Sequence, residues 1–103
     1  MYKILITADA EKDIDIILNY ITNTLYNSEA AKNLATEIIK KYKRISENPY
    51  MYELYPDKLL ADKGYRKVTV KNYMIFYIVN ENDKTVTVMR VIYGRRDHKN
   101  LIQ

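Results

Sequence analysis

Residues Tyr65–Tyr93 read YRKVTVKNYMIFYIVNENDKTVTVMRVIY. Three runs rich in β-branched and aromatic residues, Tyr65–Val70, Tyr73–Val79 and Thr85–Tyr93, are separated by polar residues. Such runs predict strands. Lys71-Asn72 suits a tight hairpin connection, with Asn72 the residue that tolerates positive φ. Asn80–Lys84 (NENDK) is a second polar turn, and Gly94 ends the third run. Strands joined by successive hairpins must run antiparallel. The middle run, YMIFYIV, is apolar on both sides, as a central strand covered on both faces should be.

Upstream, Tyr2–Thr7 (YKILIT) predicts a first strand. Thr7 or Asp9 can cap a following helix, and Asp9, Glu11 and Asp13 place carboxylates near its positive N-terminus. Ile14, Ile17, Leu18, Ile21 and Leu25 then recur as one helical stripe. Asn27 or Ser28 can cap a second helix, whose stripe is Ala31, Leu34, Ala35, Ile38, Tyr42 and Ile45. Asn48-Pro49 closes it, because the residue before proline is pushed out of the helical region. Tyr50–Gly64 shows no sustained period and predicts a loop with at most one short helical turn. The order is β-α-α-β-β-β over one domain, residues 1–103. It predicts an α+β fold: an N-terminal strand, an antiparallel helical hairpin packed on one face of a mostly antiparallel four-stranded sheet, and a short C-terminal tail or turn. The other face of the sheet is expected to be free.

Charge is distributed unevenly. Up to Asp57 there are seven Lys/Arg against nine Asp/Glu; from Lys58 onward there are ten against four. The second half therefore carries a positive field that attracts RNA, DNA or an acidic protein segment. The chain has 11 tyrosines, residues common at interfaces because they join an apolar body to a polar tip. It has no cysteine, which excludes disulfides, thiol nucleophiles and thiolate metal sites. One histidine cannot support a His-based metal site, and the two isolated glycines make no phosphate loop. No apolar run reaches the ~20 residues of a membrane span. The N-terminus lacks a secretory pattern, which points to the cytoplasm.

Strand alternation sorts the polar residues by face. Arg66, Val68 and Val70 should share the helix-covered side, with Tyr65, Lys67 and Thr69 opposite. On the last strand Val86, Val88, Arg90 and Ile92 oppose Thr87, Met89, Val91 and Tyr93. Arg90 interrupts an apolar set and so needs a carboxylate, either Asp97 or an acid of the first helix. Past Gly94, the residues Arg95, Arg96, His98 and Lys99 are expected beside Lys67 and Arg66 on the neighbouring strand. The result would be one cationic cluster at a sheet end. Such a set suits anion or partner binding. It also suits metal-free RNA cleavage, in which a base, an acid and cationic stabilisation are needed and His98 has the right unperturbed pKa.

The element order, together with GYRKVTVKNYMIFYIV (Gly64–Val79) and VTVMRVIYGRRDHKNLI (Val86–Ile102), resembles the RelE/ParE superfamily of bacterial type II toxins over nearly the whole chain. The resemblance implies a growth inhibitor neutralised by a cognate antitoxin protein, without cofactor or metal. It implies one of two targets. RelE-like members cut mRNA at the ribosome; ParE-like members poison DNA gyrase. For a nuclease, the resemblance carries catalytic roles onto Lys67 and Arg96, with Tyr93 or His98 as the proton-transfer group. Thr69 and Met74 stand where RelE has a lysine and an arginine, and its terminal tyrosine falls near Ile102. Each such loss is expected to raise RelE's barrier by roughly 2–4 kcal/mol. For a binding protein, Arg66, Lys67, Arg90, Arg95, Arg96 and Lys99 form the expected contact surface. The long helical hairpin and the RRD ending favour the gyrase poison over the nuclease. A toxin-like fold used only as a binding module is the third reading.

Overall fold

The structure, a computed structural model, describes residues 1–96. Strand β1 (Lys3–Ile6) leads into helix α1 (Ala8–Asn19), which passes into a π-helical turn at Tyr20–Thr24. Helix α2 (Ser28–Glu47) returns, a short helix α3 (Lys58–Asp62) follows, and β2 (Arg66–Val70), β3 (Tyr73–Asn80) and β4 (Thr85–Tyr93) complete the sheet. Of the two candidate caps for α1, Thr7 serves, its Oγ1 accepting from the Ala10 N–H at 3.1 Å. Asn27 caps α2 in the same way through Ala30. Each satisfies one of the donors that a helix start leaves without an intrahelical partner. No helix among the described residues is long and apolar enough to cross a membrane.

The sheet order is β1-β4-β3-β2. β2–β3 and β3–β4 are antiparallel hairpins, whereas β1 lies parallel to β4, so the sheet is mixed. The main core lies between the helices and one face. Ile21, Leu34, Ile38 and Ile45 pack there with Val68, Val70, Ile75, Tyr77, Val86, Val88 and Val91. Burying each such side chain stabilises by about 1.5–3 kcal/mol.

Four expectations need correction. The second face is not free: Leu60 of α3 packs on it with Tyr65, Phe76 and Ile92 in a smaller core. Phe76 and Ile75 are consequently both fully buried although they point to opposite sides. Leu25 leaves the helical stripe and is 55% exposed. The π turn is the reason, since the Leu25 N–H donates to Tyr20 five residues back and the wider turn rotates Leu25 off the buried face. In the β2–β3 turn Lys71, not Asn72, takes the positive φ, at 54°. Finally, the alternation on β4 slips. Phe76 pairs with Arg90 but Tyr77 with Val88, so Met89 is an extra residue in a β-bulge. Val86 and Val88 before the bulge share the main core with Val91 after it, and Met89 and Ile92 join the smaller core.

Candidate functional site

The bulge is fastened to the first helix. The Thr7 N–H donates to Val88 O at 3.1 Å, and the Thr7 hydroxyl donates to Met89 O at 2.9 Å. Nearly two turns further along α1, Asp13 accepts from Arg90 Nε at 2.7 Å and Nη2 at 2.9 Å, and from the Val91 N–H at 3.0 Å. The expected carboxylate partner of Arg90 is therefore the first-helix acid. The pair is part-buried, with 24% and 14% of the two side chains exposed. Its geometry is the bidentate fork that guanidinium and carboxylate favour.

Beside this clamp, α1 and the ends of β3 and β4 enclose a groove of about 330 Å³. Ile16, Ile17, Tyr73 and Tyr93 line its apolar side. The two tyrosine rings meet edge to face, with centroids 5.7 Å apart. Burial raises the Tyr73 phenol above its ordinary pKa, and the neighbouring Tyr93 and Tyr20 phenols add to the effect. The charged lining is mixed: Asp9 and Asp13 stand with Lys12, Arg90 and Arg96. A smaller hollow of about 190 Å³, lined by Thr69, Lys71, Met74 and Arg95 among others, also has Tyr93 in its wall. Arg95 and Arg96, adjacent in sequence, thus line different hollows.

Residues 4–98 match the family described as the ParE toxin of type II toxin–antitoxin system, parDE. The chain belongs to the ParE toxin family. Among solved structures it is similar to that of a chromosomal ParDE system from P. aeruginosa, with a TM-score of 0.71 and 19% identity over 90% of this chain and 96% of that one. The intact E. coli RelBE complex gives 0.58 and 18%, covering 93% and 100%. RelBE2 from Mycobacterium tuberculosis gives 0.58 and 16%, covering 89% and 96%. At these identities the likeness concerns the fold. No curated protein matches the sequence.

Among the described residues of this ParE-family chain, Arg66 and Lys67 do not join Arg95 and Arg96 in the single cationic cluster expected from the sequence. β2 and β4 are each antiparallel to β3, so they run parallel to one another with β3 between them. The start of β2 therefore cannot lie beside the end of β4. Arg66 pairs at the level of Tyr77, donates to Tyr52 O at 2.7 Å and stacks over the Tyr50 ring at 5.0 Å. Lys67 lies 3.7 Å from Glu53. Arg90, Tyr93 and Arg96 do come together, in the groove beside α1. His98 and Lys99 lie outside the described residues, as does Asp97.

Sequence reasoning anticipated a first-helix acid beside Arg90 but missed the rest of the helical wall of this groove, namely Lys12, Ile16 and Ile17. A signal existed. Ile16 falls off the buried stripe, with Tyr20 one turn later, and the two are 58% and 51% exposed. Apolar residues set together outside a core stripe mark a docking face.

Proposed function

We propose that this ParE-family chain inhibits growth by binding DNA gyrase rather than by cutting mRNA, and that a cognate antitoxin restrains it by laying a helical segment into the groove between α1 and the end of β4. The character of that groove carries the reading. Its apolar side, formed by Ile16, Ile17, Tyr73 and Tyr93, suits the apolar face of an amphipathic helix. Its charges nearly balance, which favours a protein partner over a polyanion track. Metal-free RNA cleavage needs several cations converging on one phosphate. Here Arg90 is held by Asp13, Lys67 faces Glu53, and Thr69 and Met74 occupy the positions where RelE carries cations.

The test compares two targets with purified protein. With gyrase and plasmid DNA, relaxed or linear DNA should accumulate, and ribosome-bound transcripts should stay intact. Site-specific transcript cleavage lost on Arg96→Ala or His98→Ala would replace this reading with the RelE-like one. Unchanged growth on expression without antitoxin would remove the toxin role. Ile16→Asp should weaken antitoxin binding at least tenfold while the fold, read by circular dichroism, stays intact.

A further inference from the structure

The free edge of β2 is only half occupied. Residues 53–55 run antiparallel alongside its first half around the Leu54–Arg66 bridge. The Tyr55 N–H donates to Tyr65 O at 2.8 Å, and the Lys67 N–H donates to Glu53 O at 3.3 Å. Backbone groups of a strand alternate in direction. If Tyr65 and Lys67 point away from the sheet, so does Thr69, while Arg66, Val68 and Val70 point toward β3. Thr69 is exposed, and its outward N–H and C=O have no partner among the described residues. The strand that presents them is firmly seated, with Val68 and Val70 buried in the main core.

A groove of about 500 Å³ flanks this position, lined by Lys41, Tyr52, Glu53, Lys67 and Thr69 among others. Lys41 lies over the Tyr52 ring at 5.8 Å. On the other side of Thr69, Lys71 and Arg95 line the smaller hollow. Three lysines thus surround the open backbone groups, against one glutamate. A second copy of this chain is a poor occupant. Pairing two β2 edges antiparallel about Thr69 would set Lys67 of one against Lys71 of the other, and like charges directly opposite are destabilising. Glu53 already fills the place beside Lys67 as well. Edge lysines are a known defence against such self-pairing.

We propose that the β2 edge at Thr69 is a docking slot for an extended, acidic segment of a partner protein, which adds as a short antiparallel fifth strand. The main-chain bonds to Thr69 would set its register, and carboxylates facing Lys41 and Lys71 would set its charge. This slot is separate from the groove beside α1 and does not depend on which cellular target the toxin has.

The test uses the isotope-labelled full chain and two capped pentapeptides, Glu-Val-Thr-Val-Glu and Lys-Val-Thr-Val-Lys. The acidic peptide at millimolar concentration should slow amide exchange of Thr69 at least fivefold, and the basic peptide should not. Thr69→Pro removes the outward N–H without breaking the ladder to β3, and should abolish the effect. Lys71→Glu should weaken the acidic peptide and admit the basic one; it decides the matter if the proline variant does not fold. Unchanged Thr69 exchange, equal protection by both peptides, or protection confined to the groove beside α1 would each overturn the proposal.

Discussion

Asp13 and Arg90 stand 77 positions apart in sequence, and their ion pair joins the first helix to the last strand at the one place where that strand is irregular. Because the same carboxylate holds the Val91 N–H, the pair also fixes the register change that turns Val91 into the main core. Removing one partner of a part-buried pair leaves the other charge uncompensated. Asp13→Ala should therefore cost about 3 kcal/mol in denaturant unfolding. The double variant Asp13→Leu, Arg90→Met should be more stable than Asp13→Ala alone, since no orphan charge remains. A single variant as stable as the parent would show that the clamp is not structural.

Tyr42 of α2 has a buried hydroxyl with no hydrogen-bond partner among the described residues, and burial pushes its pKa up to about 12. An unsatisfied buried hydroxyl costs about 1–3 kcal/mol. Tyr42→Phe should raise stability by about 1 kcal/mol, seen as a higher thermal midpoint. A loss of stability would reveal a partner for that hydroxyl.

Glu81, in the β3–β4 turn, gathers Lys84, Tyr2 and Tyr50. Lys84 Nζ pairs with it, and the two phenols donate to its Oε1 at 2.6 Å and 2.7 Å. The hydrogen bond from Lys84 and those from the two phenols lower its pKa from 4.5 to about 2. A carboxylate with a depressed folded pKa stabilises the fold above its unfolded pKa, and that contribution fades as pH falls. Acid titration of stability should thus show a loss between about pH 4.5 and 2 that is reduced in Glu81→Gln. The site is exposed, so 1 M salt should shrink the difference. Identical acid profiles for the two proteins would dismiss the cluster as a contributor.

At the end of β4, the Gly94 N–H donates to Asn72 O at 2.8 Å, and a Cβ there would approach that oxygen to 3.2 Å. The neighbouring oxygen belongs to a tight turn and cannot give easily. Gly94→Ala should destabilise by about 1 kcal/mol and shift the amide resonances of Tyr73 and Tyr93. Resonance changes limited to residue 94 itself would show that the turn absorbs the methyl group.

Local features were legible in the sequence because their causes are local. The Thr7 and Asn27 caps, the stop at Asn48-Pro49 and the end of β4 at Gly94 each follow from a residue and its near neighbours. The bulge was not legible: Val88-Met89-Arg90-Val91-Ile92 satisfies either alternation, and only Thr7 and Asp13, far away in sequence, select the slipped one. The covering of the second face by Leu60 was hidden in a segment without period. Grouping Arg66 and Lys67 with Arg96 failed on strand direction, which hairpin order alone fixes, whereas Arg90, Tyr93 and Arg96 do share a groove. The helical wall of that groove was overlooked because Lys12 and Ile16 fit no core stripe.

The placement of β4 between β1 and β3 bears on when this toxin comes into being during translation. Thr7 waits for Met89, 82 positions downstream. At about 5–20 residues per second a ribosome needs roughly 4–16 s to cover that stretch. Until β4 is made, the helical pair has at most the β2–β3 hairpin to pack on, and the groove lacks its β4 wall. Products that stop short of Thr85 would lack both the strand that joins β1 to β3 and one wall of the groove, and should be harmless to the cell making them.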